Sequence, residues 1–250
     1  MKSARQWPVL FADCAAEVLA RADARQRGRY GRVSRQNMDK PLDLLLAGAT
    51  GVVGSYVLAA ALHDARFSRV TAPTRRPLPA HAKLHNPVVD FSRLDADASW
   101  WHADAVICTL GTTIKVAGSQ AAFAAIDRDL PIRIAGLARR HGATRFALNS
   151  SLGASHKGNF YLRTKAEAED GIRELGFAYF TIVRPSLIDA QRQQSRPGER
   201  VAILFAHLLN PLTPRRYRAV KPQRIARALI DGVLAEKPGE RIIESEQMQP

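Results

Sequence analysis

A short apolar run that ends in glycine organises the pattern of hydrophobic and polar positions along this chain. The run Leu42–Ala47 has the length and composition of a β-strand buried on both faces. Apolar residues then recur at helical spacing as far as Leu62, which predicts a first helix directly after the strand. Leu44–Leu62 contains no charged residue, but its three glycines with Thr50 and Ser55 would make a poor membrane span, so we reject a transmembrane helix.

Strand and helix patterns alternate beyond this point. The predicted strands are Val70–Pro73, Pro87–Phe91, Ala105–Leu110, Arg145–Asn149 and Phe177–Val183, and the predicted helices are Ala121–His141, Phe160–Leu175, Val201–Leu209 and Arg224–Leu234. We expect Pro131 to interrupt or kink the helix that contains it. Such alternation implies right-handed crossovers, and therefore an α/β fold with a doubly wound parallel sheet, the Rossmann fold.

Length and composition favour one folded domain. The chain has 250 residues, of which 46% are hydrophobic, enough to bury one sizeable core. Residues 1–37 carry eight basic and three acidic side chains ahead of the first strand. We predict a flexible basic extension over 1–37, with a targeting role as the alternative, and a folded domain over 38–250.

Charge and cysteine content indicate which partners and which cellular compartment to expect. A formal charge of +14 attracts polyanions, but the arginines are scattered and no basic run is interleaved with aromatic residues, so we predict no specific nucleic-acid partner. Two cysteines, Cys14 and Cys108, give no disulfide framework. We therefore expect a reducing, cytoplasmic setting. No metal site is predicted.

Three glycines spaced three apart follow the first strand, Gly48, Gly51 and Gly54. At a strand-to-helix joint, glycines permit a tight turn, close approach of the backbone to a phosphate, and close packing of helix on strand. The N-terminus of the following helix offers free N–H groups to a pyrophosphate. The stretch predicts a dinucleotide site, and the alternative is a tight turn with no ligand.

The end of the second strand is where a dinucleotide-binding fold selects its cofactor. An acidic residue there binds the 2′-hydroxyl of NAD, whereas arginine accommodates the 2′-phosphate of NADP. This chain has Arg75 and Arg76 at that point and no acidic residue between Arg66 and Val89. NADP(H) is favoured over NAD(H), and the alternative is a pair of solvated arginines.

Candidate chemistry lies in two later stretches. Tyr161 and Lys165 are four residues apart at the start of a predicted helix, which places them on one face. A nearby ammonium favours the charged form of a phenol, so this pair has the composition of a general acid and its tuning group. A hydroxyl at the end of the fifth strand, in the stretch Asn149–Gly153, could hold a substrate carbonyl. A chance surface pair is the alternative, and the position after the fifth strand argues against it.

At this point the chain resembles the atypical branch of the short-chain dehydrogenase/reductases, which includes the Tat-interactive-protein oxidoreductases and bacterial relatives labelled nucleoside-diphosphate-sugar epimerases. The resemblance covers roughly Leu42 to Ile243. Its carriers are Gly48–Gly54, Thr74–Arg76, Val89–Phe91, Cys108–Thr113, Asp127–Asp129, Ser150–Ala154, Phe160–Lys165, Arg184–Ser186 and Ser195–Glu199.

The resemblance implies NADPH bound across the carboxyl edge of the sheet and a catalytic trio of Ser151, Tyr161 and Lys165. Asp90 and Phe91 would flank the adenine, Leu110–Thr112 would lie along the cofactor, and Pro185 with Ser186 would lie near the nicotinamide. The full set of expected cofactor-binding residues is Gly48, Thr50, Gly51, Val52, Val53, Gly54, Arg75, Arg76, Asp90, Phe91, Leu110, Gly111, Thr112, Tyr161, Lys165, Pro185 and Ser186.

Two departures from the family pattern shape the functional prediction. Leu110–Thr113 replaces the usual asparagine-and-alanine turn, so the family's proton-relay asparagine has no identified counterpart. The substrate-side region 186–250 has only 65 residues, which is short for a sugar-nucleotide epimerase. We predict an NADPH-dependent oxidoreductase, monomer or homodimer, that reduces a small carbonyl substrate with Tyr161 as general acid. The alternatives are an NADPH-binding regulatory protein and an NAD(P)-dependent sugar-nucleotide epimerase or dehydratase.

Overall fold

The computed structural model describes residues 40–189 and 214–250. Those residues form a parallel sheet of seven strands in the order β3-β2-β1-β4-β5-β6-β7. The strands are β1 Leu42–Ala47, β2 Phe67–Thr71, β3 Leu84–His85, β4 Ala105–Cys108, β5 Arg145–Asn149, β6 Tyr179–Arg184 and β7 Gly239–Glu244. The strand order reverses between β1 and β4, as in the Rossmann fold, and ligands of such sheets bind at the carboxyl ends of the strands beside that reversal.

Helices cover both faces of the sheet. They are α1 Val52–His63, α2 Ile114–Ala117, α3 Gln120–Ala124, α4 Leu130–Arg140, α5 Phe160–Arg173 and α6 Pro222–Val233. Short 3₁₀ turns occur at Ser99–Trp101, Arg215–Tyr217 and Ser245–Met248. The predicted doubly wound α/β architecture is confirmed.

The sheet divides the apolar core into two layers. Leu44 and Leu46 of β1 pack in the layer that contains α1 and α6, whereas Leu45 and Ala47 point into the layer that contains α4 and α5. All four side chains are fully buried. A strand covered on both faces has no polar side, which explains why Leu42–Ala47 is apolar almost without interruption.

The predicted helix over Ala121–His141 is built from three segments. Between α3 and α4, Ala125–Asp129 forms a wide π-helical turn, and Pro131 follows at the start of α4. Proline has no N–H to bond the carbonyl four residues earlier, which here belongs to Asp127, and its ring crowds that carbonyl. The wide turn relieves both problems, so the predicted interruption is present and lies just before the proline.

Other boundaries differ from the prediction. The second strand lies at Phe67–Thr71, a few residues earlier than predicted. The expected third strand at Pro87–Phe91 is reduced to a single bridge between Thr74 and Val88, and β3 forms at Leu84–His85 instead. Pro87 cannot donate to a strand ladder, which restricts pairing in this stretch.

The sequence prediction lacked β7, although β7 pairs with all six residues of β6. The predicted helix Val201–Leu209 and the extension 1–37 lie outside the described residues. Within the two described segments, none of the helices has both the length and the apolar character that crossing a membrane requires. The uncharged stretch Leu44–Leu62 is divided instead between β1 and α1.

Candidate active site

The first and third glycines of the turn after β1 are required by packing. Gly48 has φ +92°, a conformation that favours glycine, and a Cβ there would lie 2.7 Å from Thr109 Oγ1. A Cβ on Gly54 would lie 2.0 Å from the Gly48 carbonyl oxygen. Thr109 Oγ1 donates weakly to the carbonyls of Ala47 and Gly48 at 3.1 and 3.2 Å. These contacts join the ends of β1 and β4 to the first turn of α1.

The middle glycine opens the turn to solvent. Gly51 is exposed and is the N-cap of α1, so the cap residue has no side chain that could bond the first N–H groups of the helix. Thr50 is also exposed, and Val52 is 50% exposed. Val53 is buried in the core, so only its backbone can face the sheet edge. The N-terminus of α1 therefore presents free N–H groups at the carboxyl edge of the sheet, which suits an anion.

Arg75 and Arg76 lie in the loop after β2, and both are exposed. The backbone of this loop is held by hydrogen bonds of the Thr74 side chain, which is only 4% exposed. Thr74 Oγ1 donates to the Arg76 carbonyl at 2.6 Å, and Asn86 Nδ2 donates to Thr74 Oγ1 at 2.8 Å. A rigid backbone thus carries two solvent-exposed guanidinium groups near the carboxyl end of the strand next to β1.

Asp90 and Phe91 lie in a turn beyond β3. The hydroxyl and N–H of Ser92 donate to the Asp90 carboxylate and hold its pKa below the usual range. Asp90 is exposed, whereas the half-buried ring of Phe91 packs against the core layer that contains α4 and α5. Asp90 is therefore the more exposed of the two side chains.

The loop after β4 meets α5 and the π turn at one buried carboxylate. Lys165 Nζ lies 2.6 Å from Asp127 Oδ1, and the Thr112 N–H donates to Asp127 Oδ2 at 2.8 Å. The side chains of Lys165 and Asp127 are 7% and 1% exposed. A Cβ on Gly111 would lie 3.4 Å from Asp127 Oδ1, so the loop backbone covers the pair. Leu110 packs against the core beside it.

Tyr161 lies in the first turn of α5, one turn before Lys165. Its ring centroid is 6.0 Å from Lys165 Nζ and 5.5 Å from the ring centroid of Phe123. Phe123 is fully buried on α3, so it supports one side of the half-buried Tyr161 ring. The predicted sharing of one helix face by Tyr161 and Lys165 is present in the structure.

The two serines after β5 have different surroundings. Ser150 is buried, and its hydroxyl donates to Glu169 Oε1. Arg184 at the end of β6 donates to both Glu169 oxygens, at 3.0 and 2.5 Å, and to Glu244 Oε1 of β7 at 3.2 Å. The bond to Glu169 holds the pKa of the Arg184 guanidinium above its usual value. Ser151 is half-buried, and among the described residues its hydroxyl has a single contact, 3.5 Å long, with the Leu152 carbonyl.

The segment after β6 lies beside this strand end. The Pro185 carbonyl accepts a hydrogen bond from the Leu152 N–H at 2.8 Å, and the Ser186 hydroxyl donates to the Arg218 carbonyl. The structure thus brings together Gly111, Thr112 and Lys165, and places Ser151, Leu152 and Pro185 side by side. Arg75, Arg76 and Asp90 follow β2 and β3, so they lie on the other side of β1 from these two groups.

Two residues of this arrangement were missed as site residues from the sequence, Asp127 and Glu169. Asp127 occurred only within the motif Asp127–Asp129, and the one local signal was its place directly after the uncharged run Ala121–Ile126, four positions before a proline. Glu169 follows Tyr161 and Lys165 at the same four-residue interval, so all three share one face of α5. Their partners are distant in sequence, which is why spacing alone did not identify them.

A profile described as NAD(P)H-binding matches residues 48–231. This chain belongs to that NAD(P)H-binding family. The chain is 34% identical over 203 residues to Protein HTATIP2 of Rattus norvegicus. The aligned region covers 79% of this chain and 83% of that protein. The chain is 36% identical over 177 residues to Protein fmp52, mitochondrial, of Emericella nidulans, covering 67% and 76% of the two chains. The resemblance to the Tat-interactive-protein branch of the short-chain dehydrogenase/reductases is confirmed.

Solved structures show the same fold at low sequence identity. MoeE5 in complex with UDP-glucuronic acid and NAD gives a TM-score of 0.63 at 18% identity, covering 81% of this chain and 76% of that one. UDP-glucuronic acid 4-epimerase from Bacillus cereus in complex with NAD gives 0.60 at 15% identity, with coverage of 81% and 77%. These likenesses confirm the Rossmann-type fold of this NAD(P)H-binding family member.

The relatives correct the expected location. Fungal fmp52 proteins from Emericella nidulans, Aspergillus niger, Aspergillus fumigatus and Lodderomyces elongisporus are named mitochondrial, which contradicts the cytoplasmic prediction. The prediction rested in part on cysteine content. Low cysteine content indicates that the fold does not depend on disulfides, and it does not identify the compartment.

Proposed function

We propose that this NAD(P)-binding protein is an NADPH-dependent oxidoreductase that reduces a small carbonyl substrate, with Tyr161 as the proton donor. The observation that carries the proposal is the placement of Tyr161 and Lys165 on the buried face of α5, beside the loop after β4. A lysine as buried as Lys165 normally has a specific role or partner. Its partner Asp127 holds it at the edge of the sheet where ligands of this fold bind.

The residues of the turn after β1 fit a dinucleotide. Gly48 and Gly54 allow α1 to approach β1 and β4 closely, and exposed Gly51 leaves room above the free N–H groups of the helix. Thr50, Val52 and Val53 contribute backbone groups to the same turn. We assign the pyrophosphate to this helix end, since free N–H groups and the helix dipole both favour a negative charge there.

The remaining cofactor assignments follow the strand ends. Arg75 and Arg76 would hold a 2′-phosphate, and Asp90 with Phe91 would flank the adenine. Leu110, Gly111 and Thr112 would line the middle of the cofactor, and Pro185 with Ser186 would lie near the nicotinamide. Support comes from the exposure of both arginines on a loop fixed by Thr74.

The protein's own residues then carry the proton chemistry. NADPH, when bound, supplies the hydride that the carbonyl carbon accepts. Ser151 donates its hydroxyl to the carbonyl oxygen, because the neighbouring Ser150 hydroxyl is committed to Glu169. Tyr161 gives its phenolic proton to the same oxygen as negative charge develops there. Lys165 stabilises the resulting phenolate and has N–H groups beyond the one directed at Asp127 to offer the ribose hydroxyls.

A carbonyl screen that follows NADPH absorbance tests the proposal. The substrates should include small aldehydes and ketones and, as a separate arm, UDP-glucose and UDP-glucuronic acid. Tyr161→Phe keeps the ring against Phe123 but removes the proton, so turnover should fall roughly 10²- to 10⁴-fold while NADPH binding is retained. Tyr179→Phe is the matched control. Tyr179 is the first residue of β6, so it lies at the amino ends of the parallel strands, away from the carboxyl ends where the site is.

The outcomes separate the proposal from its alternatives. Full turnover by Tyr161→Phe on a verified substrate would remove Tyr161 as the acid. NADPH binding without turnover of any carbonyl would favour a cofactor-binding regulatory protein. Conversion of a UDP-sugar supplied with NAD(P)⁺, detected by chromatography and without net reduction of the cofactor, would favour an epimerase.

A further inference from the structure

One carboxylate connects two parts of the candidate site that are distant in sequence. Asp127 Oδ1 lies 2.6 Å from Lys165 Nζ on α5, and Asp127 Oδ2 accepts the Thr112 N–H of the loop after β4 at 2.8 Å. Both of its oxygens are therefore engaged, each with a different element. The carboxylate is 1% exposed, so water does not compete for either contact.

The backbone at Asp127 is shaped for this inward position. Asp127 lies at the centre of the π turn Ala125–Asp129, which ends just before Pro131. Wide turns of this kind inside α-helices are frequent at functional sites. Neighbouring Asp129 illustrates the contrast, because its carboxylate is 55% exposed and pairs with Arg128 at 2.7 Å.

The chemistry at this position requires a carboxylate. A carboxylate offers two acceptor oxygens, which meet two donors here, an ammonium and a backbone N–H. An amide has one acceptor and one donor group, so asparagine would satisfy one partner and direct its NH₂ at the other. The contact with Asp127 uses one N–H of the Lys165 ammonium, which has three.

We propose that Asp127, itself anchored by the Thr112 N–H, is a positioning residue that holds the Lys165 ammonium in place for the cofactor. The inference rests on the proposed role of Lys165 in NADPH binding. Loss of Asp127 leaves the Lys165 ammonium without the carboxylate that holds it. Asp127 thus takes part in cofactor binding without itself contacting the cofactor.

A double-mutant cycle on NADPH affinity tests the inference. The dissociation constant for NADPH is measured by calorimetry for the parent, Asp127→Ala, Lys165→Met and the double variant. Asp127→Ala alone should weaken binding roughly 10-fold, within the range of coupling between contacting residues. In the Lys165→Met background the same change should alter affinity less than about twofold, because the residue through which Asp127 acts is absent.

Matched variants exclude a purely structural explanation. Asp129→Ala removes a carboxylate from the same π turn and should leave NADPH affinity unchanged. Asp127→Asn keeps the side-chain volume and should weaken binding less than Asp127→Ala. It also serves in a cycle of its own with Lys165→Met if Asp127→Ala fails to fold.

The two proposals fail in different ways. Losses that add up in the double variant would mean that Asp127 acts independently of Lys165, which overturns the positioning role and leaves the proposed function standing. Tighter NADPH binding by Asp127→Ala would also overturn the positioning role. Unchanged affinity in Lys165→Met would remove the role assigned to Lys165, and the inference with it.

Discussion

The hydroxyl of Ser150 donates to the carboxylate of Glu169, which Arg184 also holds through two hydrogen bonds. Ser150 is therefore part of a buried network that joins β5, α5 and β6. The adjacent Ser151 is half-buried, and within the part of the chain that the structure describes its hydroxyl makes one long contact, with the Leu152 carbonyl. Under the proposed function these adjacent serines have separate tasks: Ser150 holds the site together and Ser151 faces the substrate.

Alanine substitutions should separate these tasks. Ser151→Ala should lower kcat roughly 10²-fold or more on a verified substrate, because it removes the hydroxyl that orients the carbonyl. Ser150→Ala should lower kcat far less, but should destabilise the fold by about 1–3 kcal/mol because Glu169 loses a buried hydrogen bond. Thermal unfolding and kcat measured on both variants decide this, and the reverse pattern would assign Ser150 to the substrate.

The candidate site could be predicted from the sequence only where local spacing determines it. Tyr161 and Lys165 share a helix face because they are four residues apart, and the glycine spacing reports the contact between α1 and β1. Asp127 reaches Lys165 across 38 positions of sequence, and Ser150 reaches Glu169 across 19. Such pairs depend on how helices pack on the sheet, which no local pattern records.

The same reasoning explains the strand that the sequence did not predict. Strand β5, Arg145–Asn149, agrees with its predicted bounds because it lies inside the sheet and most of its residues are buried. Strand β7, Gly239–Glu244, lies at the edge, and four of its six residues are exposed. Its Glu240 and Arg241 are typical of a solvated strand edge, so the apolar run that marks inner strands is missing.

The close approach of α1 to the first strand gives a prediction on stability. A Cβ at Gly54 would lie 2.0 Å from the Gly48 carbonyl oxygen, and backbone atoms cannot yield as a flexible side chain does. Gly54→Ala should therefore destabilise the protein by about 1–3 kcal/mol, the usual cost of overpacking. Gly136→Ala is the matched control.

Gly136 lies inside α4, where a Cβ would meet nothing nearer than Leu175 Cδ2 at 4.0 Å. Alanine is a better helix former, so this control should stabilise the protein by roughly 0.5–1 kcal/mol. Urea denaturation of both variants measures the difference. A Gly54→Ala protein as stable as the parent would show that α1 can move away from β1.

Cys108 at the end of β4 gives a prediction on pH-dependent reactivity. Burial raises the pKa of its thiol to about 11, and the thiolate is the form that reacts with alkylating agents. At pH 8 the folded protein should therefore resist iodoacetamide at Cys108, whereas denatured protein should be labelled. Mass spectrometry of the peptide that contains Cys108 measures this. Rapid labelling in the folded state would contradict the buried position.

The exposed arginines after β2 give the prediction on cofactor choice. If Arg75 and Arg76 hold a 2′-phosphate, each good charge-assisted hydrogen bond should favour NADPH over NADH by roughly 1.5–3 kcal/mol. Changing both to alanine should remove this preference while leaving NADH affinity nearly unchanged. Arg69→Ala is the matched control, because Arg69 is also an exposed arginine, lies on β2 and pairs with Asp43 at 2.7 Å. Calorimetric titration with both cofactors provides the measurement, and equal affinities for NADPH and NADH in the parent would remove the NADP assignment.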